Sequence, residues 1–447
     1  MSSEGRSTTL GHICEEQGGA IQTGPFGSQL HTSDYKQTGV PVVMPTNIVG
    51  GDISEEGIAR IDQSDVDRLF QHKLKLGDIV FSRRGDVTKN ALVRSREVGW
   101  LCGTGCLKVR LGDELVASAK FISHYLRLPD TKDWLVRHAV GATMPNLNTG
   151  ILSAVPITLP SIQSQRVIAG MLDLLDDRIT LLRETNATLE SIGQAIFKSW
   201  FVDFDPVRAM QEGRIPDGMD EATAALFPDS FEDSELGLVP KGWEIESVGD
   251  AVEFVGGGTP NTKEPSYWEP GEHCWTTPKD LSGIAAPILL ATERKLSSKG
   301  LAKVSSGLLP VGTLLLSSRA PIGYLAIIQT PMAINQGYIA MLPDSQLPPL
   351  FMLYWCRQNM ETIKGRANGS TFMEISKKAF RPIPILVPPP TIVRAFTDVA
   401  GSLFDRLVEH ETMAQNLSSI RDTLLPRLVS GKLLLPEAEA ELEAMAS

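Results

Sequence analysis

The chain states one pattern twice. Residues 141–199 and 369–427 align without a gap at an offset of 228. Gly141-Ala142-Thr143 falls on Gly369-Ser370-Thr371, the run PITLP at 156–160 on PILVP at 384–388, and Arg166 on Arg394. Asp177-Arg178-Ile179 falls on Asp405-Arg406-Leu407, and Ser191-Ile192 on Ser419-Ile420. Each half therefore ends in a Thr-bearing turn, a Pro-bounded apolar strand and a long helical segment. A solenoid unit runs only about 20–50 residues. This repeat is longer, so the reading is a duplicated domain plus helix, with two similar surfaces for two similar partners.

The helical segments carry the strongest periodicity. Ile168, Leu172, Leu175, Ile179, Leu182, Asn186, Leu189, Gly193 and Ile196 step by four and three throughout, a heptad seam of about four repeats. The second copy runs Phe396, Ala400, Leu403, Leu407, His410, Ala414, Leu417, Arg421, Leu424, Leu428. One exposed apolar stripe would leave either helix unstable alone, and the simplest burial is against the other. Asn186 is placed to set helix register, or else stands exposed. His410 and Arg421 interrupt the second seam and are expected at its edge or against a partner rather than in a catalytic site.

The predicted organisation is a globular region over 1–160, a helix over 161–202, an acidic surface connection over 203–240, a second globular region over 241–387, a second helix over 388–430 and an acidic tail over 431–447. Short β-rich runs at 40–43, 78–81 and 107–111, separated by Gly and Pro turns, mark the first globular region. Val311-Gly312-Thr313-Leu314-Leu315 echoes Leu76-Gly77-Asp78-Ile79-Val80 in the second, at an offset of 235. Residues 320–343 carry no charge, but Gln, Asn, Thr, Pro and Gly interrupt them, so buried strands are expected rather than a membrane span. The first twelve residues have no apolar core for a signal peptide, and five cysteines fit reduced thiols in the cytoplasm. Cys102 and Cys106 read as two small buried residues, since no second pair completes a metal site.

A net charge of −11 argues superficially against nucleic acid. Residues 203–237 hold ten acids and two bases, a net of −8, and Glu437, Glu439, Glu441 and Glu443 add −4. Setting those −12 aside leaves +1, so local basic loops in the globular regions remain free to grip phosphates.

No active site emerges. There is no GxxxxGK[ST] run and no Asn-Pro-Pro-aromatic tetrapeptide, Asp130-Thr131-Lys132 has no suitable upstream acid, and seven histidines are scattered without ligand spacing. The positive signals lie in Gly-rich polar loops, TGPFGSQL at 23–30 followed by Lys36, and GGGT at 256–259 followed by Lys263. Such loops let backbone N–H groups approach a phosphate. Ser82-Arg83-Arg84-Gly85 follows a strand in the first half, and Ser317-Ser318-Arg319-Ala320 follows its counterpart. Arginine reads guanine bidentately and also holds phosphate. Arg83, Arg84 and Arg319 are therefore the leading DNA-binding candidates, with Lys89, Asn90, Lys279, Asn335 and Gln336 behind them.

With those residues in view the chain resembles the specificity subunit of Type I restriction–modification systems over nearly its whole length. The matching stretches are 23–30, VPVVMPTN at 40–47, TMPNLN at 143–148, and the helix end WFVDFDP at 200–206 continuing to Gly237. In the second half they are Gly257–Pro260, Tyr267-Trp268 and WTTPKDL at 275–281. The resemblance implies an α/β (α+β) fold, with two target recognition domains separated by a pair of long antiparallel coiled-coil helices in a pseudo-two-fold repeat. It also implies that each domain reads part of a split, asymmetric double-stranded DNA site. The helices would space the domains and dock two methyltransferase subunits, with restriction subunits joining them. No catalytic residue, cofactor or metal is implied for the chain itself; the complex would use S-adenosylmethionine, ATP and Mg. The second copy departs by replacing Met144-Pro145-Asn146-Leu147 with Phe372-Met373-Glu374-Ile375. Two other readings compete: a self-contained DNA methyltransferase, and a protein scaffold whose end domains bind no DNA.

Overall fold

The computed structural model describes residues 5–141, 143–369, 373–429, 433 and 437. Most of the acidic tail, including Glu439, Glu441 and Glu443, lies outside the described residues, as do Ala142 and Ser370-Thr371-Phe372 of the two Thr-bearing turns. The fold is mixed α/β. It divides into one compact unit built from the chain up to Asp177 together with the stretch from Leu417, and a second over Arg178–Asn416.

In the first unit a main sheet orders Gly18–Thr23, Cys106–Gly112, Ile79–Ser82 and Asn90–Leu92, all neighbours antiparallel. A smaller sheet orders Leu101–Cys102, Val40–Val43, Ala59–Ile61 and Tyr35–Lys36, its first pair parallel. The second unit repeats the plan. Phe254–Val255, Tyr338–Met341, Leu314–Ser317 and Leu325–Ile328 take the same order, with Ile288–Leu289 added at the edge. Its small sheet sets His273–Thr276 between Lys295–Leu296 and Met332–Ile334, again with one parallel pair. The uncharged stretch from Ala320 thus supplies three buried strands. No helix among the described residues is long and apolar enough to cross a membrane. Cys102 and Cys106 are both fully buried, Cys106 donating to the Val43 carbonyl.

In each unit the domain's first and last strands pair with one another. Arg6–Thr9 runs antiparallel to Pro156–Leu159, and Glu244–Ser247 to Pro384–Val387. The last strand then leads into a long helix. The first, Ile162–Phe201, starts where the Ser161 hydroxyl accepts from the Ser164 N–H. It ends before Phe204, which turns left-handed at φ 57°. The second, Pro390–Val429, starts on a proline whose missing N–H costs nothing at that position.

The seam is buried by antiparallel neighbours within each unit. In the first, Ile168 and Leu172 share a core with Leu424, Leu425 and Leu428. In the second, Phe197 and Trp200 pack their rings on Phe396, while Ile179, Leu182 and Leu407 are buried. Leu175 is buried, while Leu189, Ile196, Leu403 and Leu417 are half-buried. Phe404, one residue after Leu403, carries the core contact that the strict heptad assigned to Leu403. Asn186 is 2% exposed; its amide donates to the Leu407 carbonyl at 3.3 Å and its oxygen pairs with His410 Nδ1 at 3.0 Å. Arg421, at the edge of its seam, is an ion-pair partner, with NH1 2.6 Å from Asp176 and NH2 2.8 Å from Asp422.

The acidic connection carries structure of its own, with a helix at Asp205–Gln211 and a hairpin of Phe231–Ser234 with Gly237–Pro240. The reason is its aromatic content: Phe227 is edge-on to Trp200, and Phe204 is edge-on to Phe231 and Trp243. Its acids face outward around that anchor.

Candidate nucleic-acid interface

The loop after Ile79–Ser82 is clamped on both sides. The Arg83 N–H donates to the Gly105 carbonyl at 2.8 Å, and the Arg83 carbonyl accepts from the Leu147 N–H at 2.9 Å. Arg84 forms an antiparallel bridge to Asn146, and Gly85 turns left-handed at φ 78°. The Arg84 side chain is exposed and makes no ion pair among the described residues; Arg83 is half-buried. Lys89 is exposed on the return of the same hairpin, and Lys36 stands exposed with Nζ on the Ser33 carbonyl. Asn90 departs from its expected placement. It lies 3% exposed in its strand with its amide donating to the Thr88 carbonyl, because the run Asn90–Leu92 is buried on both faces.

The second unit builds the same clamp. The Ser318 N–H donates to the Gly337 carbonyl at 2.8 Å, and the Ser318 carbonyl accepts from the Ile375 N–H at 3.0 Å. Arg319 bridges Glu374, and Ala320 takes the left-handed turn at φ 53° that Gly85 takes in the first copy. An alanine there costs roughly 1–2 kcal/mol, a strain held at the residue after the arginine. The exchange of Met144-Pro145-Asn146-Leu147 for Phe372-Met373-Glu374-Ile375 thus leaves the clamp intact. It works through backbone groups and one buried apolar residue, Leu147 or Ile375.

Around Arg319 the second unit gathers several candidates. A cleft of about 340 Å³ is lined by Arg319, Lys279, Asn335, Thr277 and Tyr324. A second, of about 610 Å³, is lined by Arg319, Lys364, Met373 and Glu374. The Arg319 guanidinium lies 3.7 Å from the Glu374 carboxylate. Lys279 rides on a short turn whose Asp280 carboxylate accepts from the Thr277 N–H; in the first unit Asn47 accepts from the Met44 N–H in the same way. Gln336 accepts from the Thr259 hydroxyl at 2.6 Å, and Lys263 is exposed but lines neither cleft. Sequence reading missed Glu374 and Lys364, which come from segments distant in sequence, and Tyr324, which lies on the return of the hairpin that carries Arg319.

The Gly-rich loops have a structural use. A Cβ on Gly24 would lie 1.9 Å from the Gly103 carbonyl oxygen, and one on Gly257 1.9 Å from that of Ile334. These glycines admit close approach of the domain's own backbone. Among the described residues no group of three or more His, Cys, Asp or Glu could hold a metal ion.

The chain thus holds two copies of one α/β domain, each followed by a long helix and each presenting an arginine on a clamped loop. Residues 25–191 and 240–399 each match the type I restriction modification DNA specificity domain, and the chain belongs to that family. It is 34% identical to the MjaIX specificity subunit of Methanocaldococcus jannaschii over 183 residues, 40% of this chain and 42% of that relative. It is 26% identical to the HindI specificity subunit of Haemophilus influenzae over 347 residues, 67% of this chain and 73% of that one. The fold is that of the type I restriction–modification S subunit from M. genitalium, with a TM-score of 0.54 at 16% identity, covering 96% and 97% of the two chains.

Proposed function

We propose that this chain is the non-catalytic specificity subunit of a cytoplasmic type I restriction–modification assembly. Each recognition domain reads one half of a bipartite, asymmetric site in double-stranded DNA. The observation that carries this reading is the clamped Arg84 and Arg319 loops: one scaffold, used twice, with different side chains around it. Identical scaffolds place the readers alike; different rims let them read different bases by hydrogen bonding in the major groove. The long helices, 40 residues each or about 60 Å at 1.5 Å per residue, set the gap between the half-sites. Their outward faces dock two methyltransferase subunits, and restriction subunits join that core. S-adenosylmethionine, ATP and Mg belong to those partners, and no residue of this chain is assigned to them.

Co-expression with methyltransferase subunits, followed by sequencing of methylated genomic DNA, tests the proposal. A two-part adenine motif with a fixed gap is the expected result. Methyl transfer by the chain alone would favour an enzyme instead. A stable complex that yields no motif would leave only a scaffold. Arg84→Ala is expected to relax one half of the motif; equal relaxation of both halves would show that the domains do not read independently.

A further inference from the structure

Bridged residues in antiparallel backbone stand side by side with their side chains on one face, their Cβ atoms about 4.5–5.5 Å apart. Arg84 and Asn146 form one such pair, and Arg319 and Glu374 the other. The two pairs are equivalent. Each closes the same clamp, each is flanked by the same left-handed turn, and each second member also takes part in a second bridge, Val140 to Asn146 or Asn368 to Glu374. What differs is the chemistry of the second side chain. Asn146 brings an amide, with no side-chain hydrogen bond to a described residue. Glu374 brings an acceptor-only carboxylate beside the guanidinium.

We propose that these two pairs are one base-reading element used twice, and that Glu374 makes the second domain select a G·C pair. The inference rests on the function proposed above. A guanidinium donates to guanine O6 and N7, and a carboxylate accepts from the cytosine N4 amino group. An Arg–Glu pair therefore matches the two halves of one G·C pair. The same carboxylate is repelled by phosphates, so the pair suits the groove floor rather than the backbone. Ala320 and the clamp fix the direction of the Arg319 backbone, and the carboxylate 3.7 Å away orients its side chain. In the first domain Asn146 suits adenine, whose N6 and N7 an amide meets bidentately. Glu374 lines the larger of the two clefts, together with Lys364 and Met373, and Arg319 lines both.

The test uses the full chain on a library of randomised DNA duplexes, with the retained sequences read out. Wild type is expected to enrich a two-part consensus. Arg319→Ala identifies the half read by the second domain. Glu374→Gln is expected to lower G·C preference about tenfold at one position of that same half, moving it toward A·T, and to leave the other half unchanged. Asn146→Glu is the reciprocal variant and is expected to move one position of the other half toward G·C. Both side chains are partly exposed and the bridges are made by backbone, so neither substitution removes a fold contact. A wild-type consensus left unchanged by Glu374→Gln would overturn the inference alone. So would a loosening shared by both halves. A wild type that enriches no two-part consensus would overturn the proposed function, and this inference with it.

Discussion

Asp176 is the residue whose replacement is most informative about what holds the first unit together. It is 6% exposed on the first long helix, with one carboxylate oxygen 2.6 Å from Arg421 and the other 2.9 Å from Arg127. At an effective dielectric of about 20 each contact is worth about 6 kcal/mol of Coulomb attraction. Burying three ions costs several kcal/mol apiece, so the intact cluster contributes little net stability. Removing Asp176 alone is different, because Arg127 then stays largely buried with no ion-pair partner among the described residues and Arg421 keeps only Asp422, at 2.8 Å, and the expected loss is about 3 kcal/mol. The other half of the chain holds the control. At the offset of 228, Phe404 stands for Asp176 and Gly193 for Arg421. There Gly193 abuts Tyr354 so closely that a Cβ would lie 2.1 Å from the hydroxyl, and Phe404 is buried in the aromatic core. The apolar solution is therefore compatible with this fold. Asp176→Phe and Arg421→Gly are each expected to destabilise, and the double variant to lose at least about 2 kcal/mol less than the sum. Hydrogen exchange along residues 162–177 measures the opening free energy, with 178–201 of the same helix as internal reference. Single losses under about 1 kcal/mol, or additivity within about 0.5 kcal/mol, would refute the account.

Asn186→Ala is expected to cost about 1–2 kcal/mol in the second unit, since it strips a buried hydrogen-bond partner from His410; the urea midpoint measures it. Burial holds the His124 imidazole below its usual pKa, although the neighbouring Asp173 and Asp176 pull the other way and Arg127 adds to the depression. The unfolded chain then takes up a proton near pH 6.5 that the folded chain refuses, so the first unit should weaken as pH falls from about 6.5, and His124→Gln should flatten that slope. Burial alone would raise the Asp173 carboxyl, but His124 and Lys120 hold it down at about 2, so its contribution persists above the unfolded value and disappears only as pH drops below about 4. One extra heptad in each long helix is expected to lengthen the gap in the recognised site by about 10 Å, roughly three base pairs; a methylation motif with an unaltered gap would count against helical spacing.

The parts of this fold governed by near-neighbour physics were legible in sequence. The four–three spacing from Ile168 to Ile196 predicts the buried face of a helix, and the runs at 40–43 and 107–111 fall in strands. Arg84 and Arg319 were visible because their strands repeat. Contacts made by loop closure were not. Nothing in Met373-Glu374 marks it as the partner of Arg319, because 55 residues separate them and the pairing is made by backbone atoms common to all residues. Asn90 stands among the weaker DNA-binding candidates by sequence, whereas its strand is covered on both sides. In 203–240 the charge pattern marks an exposed acidic stretch, while the aromatic anchors that fold it make contacts with no local spacing signal.

The antiparallel pairing of Arg6–Thr9 with Pro156–Leu159, and of Glu244–Ser247 with Pro384–Val387, brings each domain's entry and exit side by side. A module whose two ends meet can be lifted out and another spliced in with only a pair of neighbouring strands to rejoin, and the helical frame need not register the exchange. Two crossovers, one in each of the paired strands, would then exchange everything between them and leave the long helices unaltered.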